Sequence, residues 1–142
     1  MPKAAIWLSL GALLWCHSAG AQGKPAPHKV MAVEATAFAR VRQVTVAGTD
    51  PHEGVVAADP AVLPLGTRIR ITGSRGYDGN YLVTDTGSAV KGLHMDLYLL
   101  SEVEAKKFGT RTVRVQILKM GTGKTDARKE DATNPPSGPA KK

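Results

Sequence analysis

The chain has 142 residues, which is enough for one domain. Its formal charge is +7, and only 5% of its residues are aromatic. The basic residues are spread along the chain rather than interleaved with aromatics, which argues against a nucleic-acid groove and for anionic partners of another kind. A single cysteine rules out an intrachain disulfide framework.

Met1-Pro2-Lys3 is a short basic start, and Ala4 to Trp15 is an apolar run too short to span a bilayer. Ala19-Gly20-Ala21 has the A-x-A form of a signal-peptidase site. Residues 1–21 therefore read as a cleaved signal peptide, and the protein as exported, to the periplasm or the extracellular wall. The mature chain is expected to have no integral membrane span. Cys16 leaves with the leader; a lipid anchor at Cys16 would need a small residue before it, where Trp15 stands. Loss of Lys3 lowers the charge to +6.

Residues 22–29 read as a linker. From residue 30 the pattern turns to strands: Val30 to Ala39 is β-prone, Gly54 to Ala58 is a short apolar strand, and Thr67 to Ile71 alternates with period two. Gly73 to Gly79 holds three glycines and an aspartate, as a turn does. Tyr81-Leu82-Val83 opens the next strand, and Met95 to Leu99 is another. One short helix is predicted, capped by Ser101 with Glu104 completing the capping box and ended by Gly109. Val113, Val115 and Ile117 alternate in a last strand. Six short strands and one helix over residues 30–119 suggest a mainly β fold, a small closed barrel. Gly66-Thr67-Arg68 and Gly109-Thr110-Arg111 each open a strand, an echo of two related halves. Residues 120–142 lack apolar periodicity and read as a disordered basic tail. Gly121-Thr122-Gly123-Lys124-Thr125 is no phosphate loop, since that motif needs glycine where Leu118 stands.

Three aspartates, Asp59, Asp85 and Asp96, each sit where a β-prone segment meets a turn signal or apolar neighbours. Burying an ionised acid is costly without partners, so carboxylates so placed point toward a site. Alternation puts Asp96 and Tyr98 on one strand face, and Met95, Leu97 and Leu99 on the other. His94 has no second histidine or cysteine at ligand spacing, so no metal is expected, and no cofactor.

Asp59-Pro60, Leu63-Pro64-Leu65-Gly66-Thr67, Asp85-Thr86-Gly87, Lys91-Gly92 and Met95-Asp96-Leu97-Tyr98 together resemble the three-aspartate ("3D") domain, which is similar to the catalytic barrel of membrane-bound lytic transglycosylase A. The resemblance covers about residues 33–118. It implies a six-stranded double-psi β-barrel acting on peptidoglycan glycan strands. It further implies Asp96 as the essential acid, Asp85 as its supporting aspartate, and Asp59 as a brace for the barrel's loops. The family usually carries glycine at Ser88 and isoleucine at Val90. A transglycosylase needs one carboxylic acid, because the muramic C6 hydroxyl attacks the anomeric carbon; Asp96 would protonate the leaving oxygen and then take the hydroxyl's proton. Lys91 would keep Asp85 charged or bind substrate carboxyls, Thr86 and Gly87 would support Asp85, and Tyr98 or Tyr81 would stack on sugar rings. A monomer is expected. One rival reading is a wall-glycan-binding module without catalysis. Another is a dimeric aspartic protease built on Asp85-Thr86-Gly87-Ser88, one copy per subunit.

Overall fold

The computed structural model describes residues 29–39 and 44–140; the signal-peptide reading and Cys16 lie outside them. Seven strands form one sheet: β1 (Val30–Phe38), β2 (Val55–Ala58), β3 (Arg68–Thr72), β4 (Gly79–Asp85), β5 (His94–Tyr98), β6 (Arg111–Lys119) and β7 (Gly138–Pro139). The hydrogen-bonded order is β2-β5-β1-β6-β3-β4-β7, and a further β2–β4 pairing closes the first six into a barrel. Closure leaves these six without an unpaired edge. Helices α1 (Glu102–Phe108) and α2 (Lys124–Thr133) lie outside it.

The barrel interior follows from the alternation. Each strand turns two apolar side chains inward: Val33 and Ala35, Val56 and Ala58, Ile69 and Ile71, Tyr81 and Val83, Met95 and Leu97, Val113 and Val115. All are 4% exposed or less. With no disulfide among the described residues, this packing is the main source of stability, and burying each large aliphatic side chain contributes about 1.5–3 kcal/mol. Tyr81 is fully buried, and its hydroxyl donates to the Tyr77 carbonyl at 2.7 Å. Burial pushes its pKa far above the usual phenol range.

The six strands obey a two-fold rule. β1 and β5 pair in parallel, as do β2 and β4, and the remaining pairs are antiparallel. Exchanging β1 with β4, β2 with β5 and β3 with β6 carries every pairing into one of the same sense. The two Gly-Thr-Arg runs lead into β3 and β6, strands that this exchange relates. Both glycines have positive φ, 87° at Gly66 and 61° at Gly109. The predicted helix forms as α1, where the Ser101 side chain accepts from the Val103 N–H.

The C-terminal segment differs from the expectation of a disordered tail. It forms α2 and β7 and wraps the barrel. Gly121 lies so close to the backbone of Leu65, Gly66 and Thr67 that no side chain fits there. Its N–H donates to Thr67 Oγ1 at 3.0 Å, and the Gly123 N–H donates to the Leu65 carbonyl at 3.0 Å. Glu130 on α2 accepts from Arg68 Nε at 2.9 Å and pairs with Lys119. His52 Nε2 meets Asp131 Oδ1 at 2.8 Å. β7 then pairs with the start of β4, where Gly79 leaves room for Gly138. Only Ala127 of α2 is buried. The attachment is thus made by backbone contacts and ion pairs, which leave no apolar periodicity to read.

Lys119 first, then Arg68, hold the Glu130 carboxyl below its usual range. A depressed carboxyl pKa contributes stability that is present above the unfolded value of 4.5 and lost as pH falls through the folded one. Amide exchange in α2 should therefore accelerate relative to the barrel strands below about pH 4.5. In Glu130→Gln it should already be fast at neutral pH, with little further change on acidification.

Candidate functional site

The site lies on the outer face of the barrel, where four strands run side by side. On β5, Met95 and Leu97 point into the core, so His94, Asp96 and Tyr98 face outward. On β1 the same alternation turns Glu34, Thr36 and Phe38 outward. The parallel register matches them one to one: Glu34 with His94, Thr36 with Asp96, Phe38 with Tyr98.

On its other side Asp96 pairs with Ala57 of β2, and Ala57 pairs in turn with Asp85 of β4. Strict alternation would send Asp85 inward with Tyr81 and Val83. The β2–β4 register shifts after Val56–Val83, so that Ala57 faces Asp85 rather than Thr84. Such an irregularity re-aims a side chain, and here it turns Asp85 onto the outer face. Asp85, Ala57, Asp96 and Thr36 thus form one row across four strands. Two strand spacings, about 9.6 Å, separate the aspartate backbones. Alanine between them leaves a cleft of about 100 Å³, lined by Phe38, Ala57, Asp85, Thr86, Gly87, Val90 and Asp96.

Backbone donors fix the Asp85 side chain. Its Oδ1 accepts from the Val46 N–H at 3.0 Å and the Thr86 N–H at 2.9 Å. Gly87 follows, and a side chain there would press on Val90 Cγ2 at 2.8 Å; the Val90 N–H closes the turn on the Gly87 carbonyl at 3.0 Å. Asp96 Oδ1 accepts from the Thr36 hydroxyl. It also lies 3.5 Å from His94 Nε2, whose Nδ1 meets Glu34 Oε1 at 3.2 Å.

Asp59 lies outside the cleft lining. Its carboxylate accepts from the Gly92 N–H at 2.7 Å and the Ala61 N–H at 3.0 Å, tying the exit of β2 to the loop before β5. The Gly92 and Ala61 donors hold its pKa below the usual carboxylate range, with a smaller contribution from Lys91. Lys91 is exposed, and its charge acts on Asp59. Tyr98 is 7% exposed and packs edge-on against Phe38, with ring centroids 5.7 Å apart. Tyr81 belongs to the core, so the apolar wall of the cleft is Phe38 backed by Tyr98. Asp85 and Asp96 share their cleft within one chain, without a second copy. Among the described residues no group of three or more His, Cys, Asp or Glu is placed to hold a metal ion.

Sequence reasoning passed over Thr36, Ala57 and Phe38 as site residues. The alternation of Val33 to Phe38 carries a signal for Thr36 and Phe38, because it mirrors His94 to Tyr98. Ala57 carries none, since a small residue in an apolar strand looks like any other.

The fold and site define a six-stranded barrel with two aspartates in one outer cleft and a third bracing its rim. Residues 54–119, from just before β2 to the end of β6, match the model of the 3D domain. β1, which supplies Thr36 and Phe38, precedes the matched interval. Over 98 residues the chain is 36% identical to the cell wall-binding protein YocH of Bacillus subtilis (strain 168), covering 63% of this chain and 33% of that one. It is 35% identical over 98 residues to the putative cell wall shaping protein YabE of the same organism, covering 63% and 23%. The match thus spans a third or less of the length of these two relatives. Similar solved structures include MltA from E. coli (22% identity, TM-score 0.45, 58% of this chain and 29% of that one). Another is the expansin of Clavibacter michiganensis (19% identity, TM-score 0.49, 67% and 53%).

The Asp59 brace predicts a local effect. Asp59→Asn should speed exchange of the Gly92 amide at neutral pH while leaving the interior strands protected. In the wild type the same amide should loosen only as pH falls below 3.8, because a lowered carboxyl pKa gives stability that acidification removes. Equal Gly92 protection in both proteins at neutral pH would show that the brace has no such effect.

Proposed function

We propose that this domain acts outside the cytoplasm on the glycan strands of peptidoglycan and cleaves the MurNAc–GlcNAc bond as a lytic transglycosylase. The observation that carries this reading is the row Asp85–Ala57–Asp96, which puts two carboxyl groups on one cleft with a small residue between them. The wall-related names of the relatives support the substrate class, and no helix among the described residues is long and apolar enough to cross a membrane.

Asp96, protonated, gives its proton to the glycosidic oxygen as the bond to the muramic C1 breaks. Positive charge develops at C1 and the ring oxygen. Asp85, with Oδ1 already occupied by two backbone N–H groups, supplies the negative charge that this transition state needs. The muramic C6 hydroxyl attacks C1 and releases its proton to Asp96, which restores the acid and leaves a 1,6-anhydro ring. No water enters the product, so the second carboxylate is not required to activate one, in contrast to an inverting hydrolase. Phe38 offers an apolar face for a sugar ring. Thr86, Gly87 and Asp59 hold the loop that positions Asp85 and closes the cleft, and Lys91 serves Asp59.

A second reading, a glycan-binding module without catalysis, is favoured by the small cleft with one aromatic wall and by the name of the cell wall-binding relative. Digestion of purified sacculi separates the two. The wild type should release soluble products one water lighter than the hydrolysed form, and Asp96→Asn should lower their yield by about 10²–10⁴, the usual contribution of general acid–base catalysis. Reducing-end products that depend on Asp96 would mean hydrolysis instead. If neither protein releases product and both pellet with sacculi, the domain is a binder.

A further inference from the structure

The reading of Asp96 as the cleft's acid leaves one group of side chains without a role. Glu34, His94, Thr36 and Asp96 form an unbroken polar line along the outer face of the β1–β5 pair. Its distances are 3.2 Å from Glu34 Oε1 to His94 Nδ1, 3.3 Å from His94 Nε2 to Thr36 Oγ1, and 3.5 Å from His94 Nε2 to Asp96 Oδ1. The Thr36 hydroxyl bonds the same Asp96 oxygen. His94 and Asp96 are about equally covered, at 25% and 27% side-chain exposure, while Glu34 is 59% exposed at the solvent end.

The donor and acceptor count restricts what this line can be. Thr36 has one hydroxyl proton, and it is directed at Asp96, so the hydroxyl's lone pairs are left to accept. With protons on both ring nitrogens, His94 donates to Glu34 through Nδ1 and toward Thr36 and Asp96 through Nε2, and every contact is matched. With one proton lost, either the Glu34 contact or the Thr36 contact has no donor. The parallel register brings these side chains together, because Glu34 lies opposite His94 and Thr36 opposite Asp96.

We propose that His94, held by Glu34, is a positioning residue for Asp96. It orients the Thr36 hydroxyl and fixes Oδ1 of the acid, so that Asp96 meets the glycosidic bond through Oδ2. The inference rests on the catalytic reading of Asp96 for its effect on rate, but the brace itself does not depend on turnover. The ionisable groups around His94 are few. Glu34 faces it from β1 and Asp96 from its own strand. Asp59 follows Ala58, whose partner is Met95, and so borders it at the end of β2. Lys91 stands in the preceding loop. Beyond Glu34, β6 presents Thr112 opposite it and Arg114 one row away.

Two measurements test this on the full chain. In sacculus digestion, His94→Phe should lower kcat about tenfold with KM changed less than about twofold, a loss well below that of removing the acid itself. His94→Gln, which keeps a donor toward Thr36, should recover most of the rate. An unchanged kcat in His94→Phe would overturn the proposal. The second measurement needs no turnover: ring ¹⁵N resonances of His94 by NMR. Thr36→Val should move the Nε2 resonance and Glu34→Gln the Nδ1 resonance. If neither moves, the brace does not exist, whatever the activity. If both move while wild type releases no product, the brace stands and the cleavage reading falls.

Discussion

The site depends on the position of β2 between β4 and β5. That strand has only four residues, yet it pairs on both sides, in parallel with β4 and antiparallel to β5. Its Ala57 is consequently the one residue in register with both Asp85 and Asp96. Two features convert that register into a cleft. The shift after Val56–Val83 rotates Asp85 off the inward face, and the single methyl group of Ala57 leaves the space between the carboxylates open. A regular ladder would have buried Asp85 beside Tyr81 and Val83, where an unpaired carboxylate is not tolerated. Barrel closure and site geometry are therefore one constraint: the β2–β4 pairing that removes the edge also delivers the second aspartate.

Much of this was legible in the sequence, for physical reasons that differ by element. Strands β3, β5 and β6 were readable because one face of each is buried and the other wet, so period two survives in the residues themselves. The helix α1 was readable because its ends carry side-chain and glycine signals independent of packing. Asp85 and Asp96 could be singled out as acids in apolar surroundings, but only the resemblance to the 3D domain brought them together, since register shifts leave no mark in composition. Phe38 is an instance of the same limit. Its partner Tyr98 was noticed as a sugar-stacking residue, whereas the structure tucks Tyr98 behind Phe38 and gives Phe38 the cleft face. Which member of a cross-strand aromatic pair lines the cleft is a property of the pairing, not of either residue.

The C-terminal segment shows the opposite failure. Lys124 to Thr133 is polar nearly throughout, and by itself gives no reason to fold. It is held because the barrel offers sites that are not apolar: the backbone at Leu65 to Thr67, the Arg68 guanidinium and the edge of β4. Glycines at 79, 121 and 138 let main chains meet where any side chain would intrude. A segment bound through main-chain atoms and part-buried ion pairs buries little apolar surface, so it adds modest stability and is sensitive to acid and salt. It covers the start of β4 and the end of β6, away from the Asp85–Asp96 row, and leaves Glu34, Thr36 and Asp96 at least partly exposed.

That openness sets what the proposed chemistry demands. Asp96 retains about a quarter of its side-chain exposure, and charges in a water-filled cleft interact weakly compared with charges from which solvent is excluded. Preorganised groups stabilise a developing positive charge well only when water does not screen them. The chain supplies the preorganisation: backbone donors on Asp85, and Thr36 on Asp96. Among the described residues, Phe38 is the one aromatic residue lining the cleft. On the proposed reading the polymer itself must act as the lid, with one sugar over Phe38 and its neighbour over Ala57, displacing solvent from between the two carboxyl groups. A strand held only at Phe38 would be bound and not cut. Binding and cleavage are then successive degrees of coverage of a single cleft, and the step between them is whether the glycan reaches across Ala57.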